Sequence, residues 1–556
     1  MSSSPDTVAR EVRRRRTFAI ISHPDAGKST MTEALALHAR MISEAGAVHG
    51  KAGRKATVSD WMEMEKARGI SVSSTALQFN YTPTGLGNDD PDDDVEAAYA
   101  GSAGERVDEP HVINLVDTPG HADFSEDTYR VLTAVDAAVM LIDAAKGLEP
   151  QTLKLFQVCR HRGIPVITVI NKWDRPGQTP LELIDEISER IGLTPTPLYV
   201  PVGIAGDFRG LLDRRSGTYI KFSRTAGGAK IAPEELLDAQ RAAATEGDAW
   251  TAAVEESELL SEMGQDHDQE MFLAGETSPM IFTSAMLNFG VRQLLEALVE
   301  LAPAPAGRAD VDGTVREVTD PFSAVVFKVQ AGMDSSHRDR LAYMRIVSGE
   351  FERGMVVTHA QTGRPFATKY AQAVFGRDRS TVDTAYPGDV VGLVNATALA
   401  PGDTLYDGPR VEFPPIGSFA PEHFATLRAR SAGKYKQFRK AMDQLESEGV
   451  VQVLRNNTRG DASPVLAAVG PMQFEVVTAR MLAEFTVETD LEPLGYSLAR
   501  RTDDTSSPEL DRQRGVEVFT RTDGALLALF SDKWRLQFIE KEHPDLTLEP
   551  LVAAAD

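Results

Sequence analysis

Short apolar runs alternate with helical stretches through the first third of the chain. Thr17–Ser22, His111–Asp117, Ala137–Asp143 and Pro165–Ile170 read as strands with few polar interruptions. A strand apolar on both faces must be covered on both faces, so the pattern predicts a mostly parallel sheet flanked by helices, an α/β domain. Pro150–His161, between the last two runs, reads as a helix. Further strands at Leu198–Gly203 and Thr218–Phe222 and an acidic helical stretch come before one more buried strand, Pro279–Thr283. The segment 181–275 is therefore expected as an elaboration within the first domain. Leu301–Arg308, rich in proline and alanine, reads as a linker.

From about Pro321 the rhythm changes to Ala324–Gln330, Leu341–Ser348, Met355–His359 and Val390–Val394, punctuated by Gly349, Gly354, Gly388 and Gly402. That pattern predicts a small antiparallel β-barrel. After a second linker, Phe413–Pro421, helices at Lys434–Glu448 and Gln473–Glu484 are mixed with strands at Val450–Arg455 and Pro464–Val469, an α+β domain. The expected division is 1–305, 306–415 and 416–556. The stretch 88–110 stands apart. It holds Asp89, Asp90, Asp92, Asp93 and Asp94 among small residues and reads as a mobile acidic loop between two sheet strands.

Length and charge narrow the picture. A chain of 556 residues has room for roughly three or four domains. A net charge of −24 excludes a surface that coats nucleic acid generally, but not a local basic patch. Lys434, Lys436, Arg439 and Lys440, with the turn His337–Arg340, are the local candidates for RNA contact. The single cysteine, Cys159, cannot form a disulfide within the chain and fits a reducing compartment; it is expected as a small buried side chain. The longest apolar stretch, around Ala134–Ala145, contains Asp136 and Asp143 and is too short to span a membrane. Arg13–Arg16 is followed by no secretory apolar core. A cytoplasmic monomer is expected.

Candidate chemistry lies in three segments. Ser22-His23-Pro24-Asp25-Ala26-Gly27-Lys28-Ser29, followed by Thr30, matches a phosphate loop except that it begins with Ser22 where glycine is usual. Such a loop gathers backbone N–H groups at a helix N-terminus. Gly27 lets the backbone approach phosphate, Lys28 supplies charge to the β- and γ-phosphates, and Ser29 offers a hydroxyl to Mg²⁺. Asp117 ends an apolar strand, where its carboxylate reaches Mg²⁺ through water, and Thr118-Pro119-Gly120 then turns so that the Gly120 amide meets the γ-phosphate. His121 is the expected catalytic residue, orienting the attacking water. Asn171-Lys172-Trp173-Asp174 follows a buried strand. Asp174 suits the paired donors of guanine, Asn171 the base edge and nearby loops, and the Lys172 stem the face of the base. Ser284 and Ala285, after the Pro279–Thr283 strand, are expected at the guanine oxygen. GTP or GDP with Mg²⁺ is thus the expected ligand.

These motifs resemble the translational GTPases, the group of elongation factors G and Tu. Arg68-Gly-Ile-Ser71 is similar to that group's first switch, and the resemblance implies Ser71 as a further Mg²⁺ ligand, with Ile70 and Pro24 as an apolar gate beside His121. The stretches Ser59–Ser71, Asp123–Arg130, Phe327–Arg340, Phe419–Glu422 and Gly470–Phe474 resemble the peptide chain release factor 3 family more narrowly. The resemblance covers nearly the whole chain; the 88–110 loop looks inserted and the region after Arg501 is less recognisable. It implies a GTPase domain, a β-barrel and a third α/β domain. It also implies ribosome-stimulated GTP hydrolysis that helps codon-reading release factors dissociate after peptide release. No Gly-Gly-Gln occurs, so the chain is not expected to cleave peptidyl-tRNA itself, and its length after the third domain does not fit a translocase. Another ribosomal GTPase, such as a stalled-ribosome or antibiotic-protection factor, and a nucleotide-binding module without turnover remain the competing readings.

Overall fold

The structure is a computed structural model and describes residues 4–41, 76–83, 110–118, 125–225, 230–331, 340–375, 378–416, 420–456 and 463–551. Helix α1 (Pro5–Arg13) leads into β1 (Arg15–Ser22), then α2 (Lys28–His38), β2 (Ala76–Tyr81), β3 (His111–Asp117), α3 (Ser125–Leu132), β4 (Ala137–Asp143), α4 (Pro150–His161) and β5 (Val166–Asn171). α5 (Pro180–Ile191), β6 (Thr194–Pro197), β7 (Tyr199–Val202), β8 (Gly210–Asp213), β9 (Tyr219–Phe222) and β10 (Glu234–Leu237) follow. α6 (Ala239–Glu246), α7 (Asp248–Glu262), α8 (Gln269–Leu273), β11 (Thr277–Phe282) and α9 (Val291–Leu301) complete this part.

Seven strands form the first sheet in the order β2-β3-β1-β4-β5-β11-β6. All neighbours are parallel except β2, which runs antiparallel to β3 at the edge. β3 and β4 are buried at every position, as a sheet with helices on both faces requires. β7 to β10 form a separate four-stranded antiparallel sheet, so the 181–275 segment carries its own small layer while β11 returns to the main sheet. Cys159 lies buried in α4, and burial pushes its thiol up to about 12.

Residues 323–406 form an eight-stranded antiparallel sheet around one apolar cluster that includes Phe322, Val326, Met344, Ile346 and Leu405. The last part is a seven-stranded antiparallel sheet with the strand order 489–493, 423–429, 465–468, 452–455, 516–521, 526–530, 498–502. Helices Tyr435–Ser447 and Met472–Phe485 pack on the face carrying Ala425, Leu427, Val453 and Leu466. Helix Lys533–Glu542 packs through Leu536 and Ile539 on Val516, Val518 and Phe530. Strands 516–521 and 526–530 and this helix all lie beyond Arg501, so the region that looks least recognisable in the sequence completes the domain's sheet.

Charged contacts join the three parts. Asp389, buried at the rim of the second sheet, accepts from Arg15 Nε (2.9 Å), Gln78 Nε2 (2.9 Å) and Asn114 Nδ2 (3.2 Å), one residue from each of β1, β2 and β3. Beside it, Thr17 Oγ1 donates to the Gly388 carbonyl at 2.8 Å. Helix α3 faces both neighbours: Asp127 pairs with Lys328 at 3.2 Å, and Arg130 donates to the carbonyls of Glu448 and Gly449 at 3.4 and 3.3 Å.

Candidate nucleotide site

The site forms where the C-terminal ends of parallel strands meet helix N-termini, the place an open α/β sheet offers a ligand. β1 ends at Ser22 and the chain turns sharply into α2. Asp25 (φ +67°) and Gly27 (φ +97°) both take the left-handed conformation that makes the turn. Ser22, His23, Ala26 and Lys28 are buried, Pro24 is partly so, and Asp25 faces outward. Ser29 and Thr30 occupy the first turn of α2.

Side chains from neighbouring strands hold this loop. Asn171, the last residue of β5, donates from Nδ2 to the Ala26 carbonyl (2.8 Å) while its Oδ1 accepts from the Ala285 N–H (3.0 Å) and from Thr283 Oγ1 (3.3 Å). One amide therefore ties the phosphate loop to the segment after β11. A Cβ at Gly27 would lie 2.5 Å from that same Nδ2, so the position is closed to any side chain. Lys172 (φ +64°) turns its ammonium to Asp143 Oδ2 at 2.8 Å and to the Asp25 carbonyl. Asp174 Oδ1 accepts from the Ser284 hydroxyl at 2.6 Å. Trp173 between them is fully buried, edge-on to Phe282 with centroids 4.8 Å apart. It anchors the loop in the core and leaves Lys172 and Asp174 partly exposed, with Asn171 buried beneath the phosphate loop.

On the other flank, Lys28 Nζ lies 3.1 Å from Asp117 Oδ1, with both side chains almost wholly buried. Thr118 Oγ1 donates to the Ile20 carbonyl at 2.6 Å, fixing the chain as it leaves β3. Thus contacts bring Ser22–Thr30, Asp117, Thr118, Asn171, Lys172, Asp174, Ser284 and Ala285 together at the C-terminal edge of the sheet. Ser71, Pro119, Gly120 and His121 lie outside the described residues, as do Ile70 and the 88–109 acidic stretch.

The buried polar groups fit a phosphate-bearing ligand. The Ser22 hydroxyl and both His23 ring nitrogens are enclosed without a hydrogen-bond partner among the described residues, whereas buried polar groups are normally satisfied. Burial lowers the His23 pKa, so the ring is neutral near pH 7. The Asp143 carboxyl is pushed up by burial, but hydrogen bonds from Lys172 and the Ala145 N–H outweigh this and hold it below its ordinary value. Asp143 and Thr283 are supporting residues that motif reading missed. The only hint was an Asp at a strand end; its contact with Lys172 depends on the sheet order. Among the described residues no cluster of three or more His, Cys, Asp or Glu forms a metal cage. The donor set for Mg²⁺ here is sparser: the Ser29 hydroxyl and the Asp117 carboxylate, whose chemistry suits an ion that keeps several waters and shares phosphate oxygens.

Known proteins share this architecture. Residues 13–304 match the elongation factor Tu GTP-binding domain, and 321–408 match elongation factor G domain 2. Peptide chain release factor 3 of Microcystis aeruginosa is 45% identical over 97% of this chain and 95% of its own. The chain belongs to the peptide chain release factor 3 family. Release factor 3 of Gloeobacter violaceus is 44% identical over 98% of both chains, and that of Synechocystis sp. 43% identical over 98% of this chain and 96% of its own. Residues 413–540 match the model described as "Class II release factor RF3, C-terminal domain", so the family likeness does not fade after Arg501. A solved protein from Thermus thermophilus superposes with a TM-score of 0.64 over 88% of this chain and 68% of its own at 21% identity, which shows the fold alone. Membership makes the chain a translational GTPase of termination, built as an α/β GTP-binding domain, a β-barrel and a C-terminal α+β domain. No described helix is long and apolar enough to cross a membrane.

Proposed function

We propose that the chain is a ribosome-stimulated GTP hydrolase that promotes dissociation and recycling of codon-reading release factors after peptide release. The observation carrying this reading is near-full-length membership of the release factor 3 family, joined to a crevice whose two walls suit triphosphate and guanine. In it, Gly27 and the following α2 N–H groups cradle the phosphates, and the buried Lys28 supplies a positive charge to them. Asp174 accepts from guanine N1–H and the exocyclic amine while Ser284 steadies its other flank. Adenine has no such donor pair and would leave the other carboxylate oxygen without a partner, which penalises ATP. Ala285 and Asn171 border the base edge, and the Lys172 stem covers its face.

Ser29 and Asp117 are the residues that would hold Mg²⁺, with Ser71 as a further hydroxyl, and the ion would neutralise charge on the β- and γ-phosphates. Lys28 now pairs with Asp117 and is expected to turn to the phosphates as nucleotide enters. His121 orients the water that attacks the γ-phosphorus; the bond to the β–γ bridging oxygen breaks, giving GDP and phosphate. The γ-phosphate holds the segments around Ser71 and Gly120 in one arrangement, and its loss releases them, a population shift that frees the protein from the ribosome. A cytoplasmic monomer acting on ribosomal RNA and protein fits this role.

The test is recycling of codon-reading release factors on purified termination complexes, with and without the chain and GTP, alongside phosphate release with and without ribosomes. Faster factor dissociation and ribosome-stimulated phosphate release are expected. No stimulation by ribosomes would refute the reading and favour a static nucleotide-binding module.

A further inference from the structure

In a chain of net charge −24, one face of the C-terminal domain gathers cations around an aromatic groove. Helix Tyr435–Ser447 and strand Gln452–Arg455 enclose a small open groove of about 60 Å³, which Asp443 and Pro464 also line. Phe438, Met442 and Val453 form its buried floor. Tyr435, 37% exposed, stacks on Phe438 with centroids 6.4 Å apart and an interplanar angle of 24°, leaving its outer face open. Arg439 and Arg455 flank the groove. Arg455 is steadied by Thr522 at 2.9 Å and by Asp443 at 3.8 Å.

Lys436 and Lys440 are exposed on the same helix, and with Arg439 they make no ion pair among the described residues. Arg430, Arg480, Arg512 and Arg521 of the same domain have carboxylate partners; Lys436, Arg439 and Lys440 present their charge to solvent. A planar aromatic ledge on a groove that two arginines also line suits a nucleobase with its phosphates, because bases stack on aromatic and guanidinium planes. An acidic protein segment would use the charges but not the open Tyr435 face.

We propose that this groove binds single-stranded RNA, stacking one unpaired base on Tyr435 while Lys436, Arg439, Lys440 and Arg455 meet the flanking phosphates. Ribosomal RNA is the source that the proposed function supplies, and in that respect the inference rests on that reading.

The test uses the full chain saturated with GDP and a fluorescent ten-nucleotide oligocytidylate, which the guanine site does not accept. Tyr435→Ala should weaken binding about tenfold at every salt concentration and leave the salt slope unchanged, and Tyr435→Phe should restore it. Lys436→Gln with Lys440→Gln should flatten the slope of log affinity against log salt by about 0.7 for each phosphate no longer neutralised. A photo-crosslink from a 5-iodocytidine decamer should map to Tyr435 in the unsubstituted protein, which tests the placement whether or not a variant folds. Absence of binding at low salt, full affinity in Tyr435→Ala, or a decaglutamate peptide bound as tightly and with the same Tyr435 dependence would overturn the proposal. Ribosome-stimulated phosphate release on the same preparation separates the two readings. If it persists while oligocytidylate fails to bind, only the groove assignment falls; if it is absent while the oligonucleotide binds, the groove stands and the ribosomal function falls.

Discussion

Replacing Gly27 with alanine is the sharpest probe of the crevice. Two costs arise, and the structure separates them. A non-glycine residue at φ +97° takes on left-handed strain of roughly 1–2 kcal/mol. The new Cβ also falls 2.5 Å from Asn171 Nδ2, closer than side chains tolerate. Asn171 has little room to yield, because it is tied to Ala26, Thr283 and Ala285. Losing one or two of those bonds adds about 1–2 kcal/mol, giving a total of about 2–4 kcal/mol. Gly163, also left-handed at φ +64° but with open space around its Cβ position, supplies the control. Gly163→Ala carries the strain without the clash. Urea denaturation should show Gly27→Ala losing clearly more stability than Gly163→Ala, and calorimetric titration should show its GDP affinity falling about ten- to a hundredfold while Gly163→Ala binds normally. GDP affinity within twofold of the parent in Gly27→Ala, or equal destabilisation by the two substitutions, would refute the reasoning.

Three further outcomes are expected. Asp174→Asn should weaken GDP by roughly 2–3 kcal/mol, the worth of a charged hydrogen bond, and improve binding of xanthosine diphosphate in competition titrations; unchanged GDP affinity would mean that Asp174 does not face the base. Asp389→Ala leaves Arg15 buried with Glu11 as its remaining carboxylate partner, and should cost about 2–3 kcal/mol in chemical denaturation, below the full cost of breaking a buried pair. His111→Gln should change the response to acid: burial, helped by Arg16 and Arg14, lowers the His111 pKa to about 4. The unfolded chain, near 6.5, then takes up the proton first as pH falls, so this contribution is complete above pH 6.5 and is lost on the way down to pH 4, by at most about 3 kcal/mol. Urea midpoints measured across that window should fall less steeply in the variant.

How much of the fold is legible in the sequence differs by part. The four apolar runs of the first third are central strands, because a strand buried on both faces leaves a continuous signal. The edge strand β2, with Gln78 and Asn80 pointing outward, carries no such signal. The prolines of β6 (Thr-Pro-Thr-Pro) hide it as well; it lies at the opposite edge of the sheet, where a missing N–H is tolerated. In the last domain, strand 489–493 is mostly polar and half-exposed, so its alternation is faint. The loop motifs are legible from spacing alone, but their mutual contacts are not: Asn171 meets Ala26 across 145 residues and Ala285 across 114. Only the order of strands in the sheet brings them together.

Gly449 joins the C-terminal domain to helix α3 with almost no clearance. A Cβ there would sit 1.8 Å from the Arg130 guanidinium, so a side chain at 449 would push the end of the arginine aside. The helix begins a few residues after Gly120 and His121. The joint is thus a clasp that only the smallest residue leaves room for: bulk at 449 would displace the guanidinium and undo this tie between the far domain and helix α3.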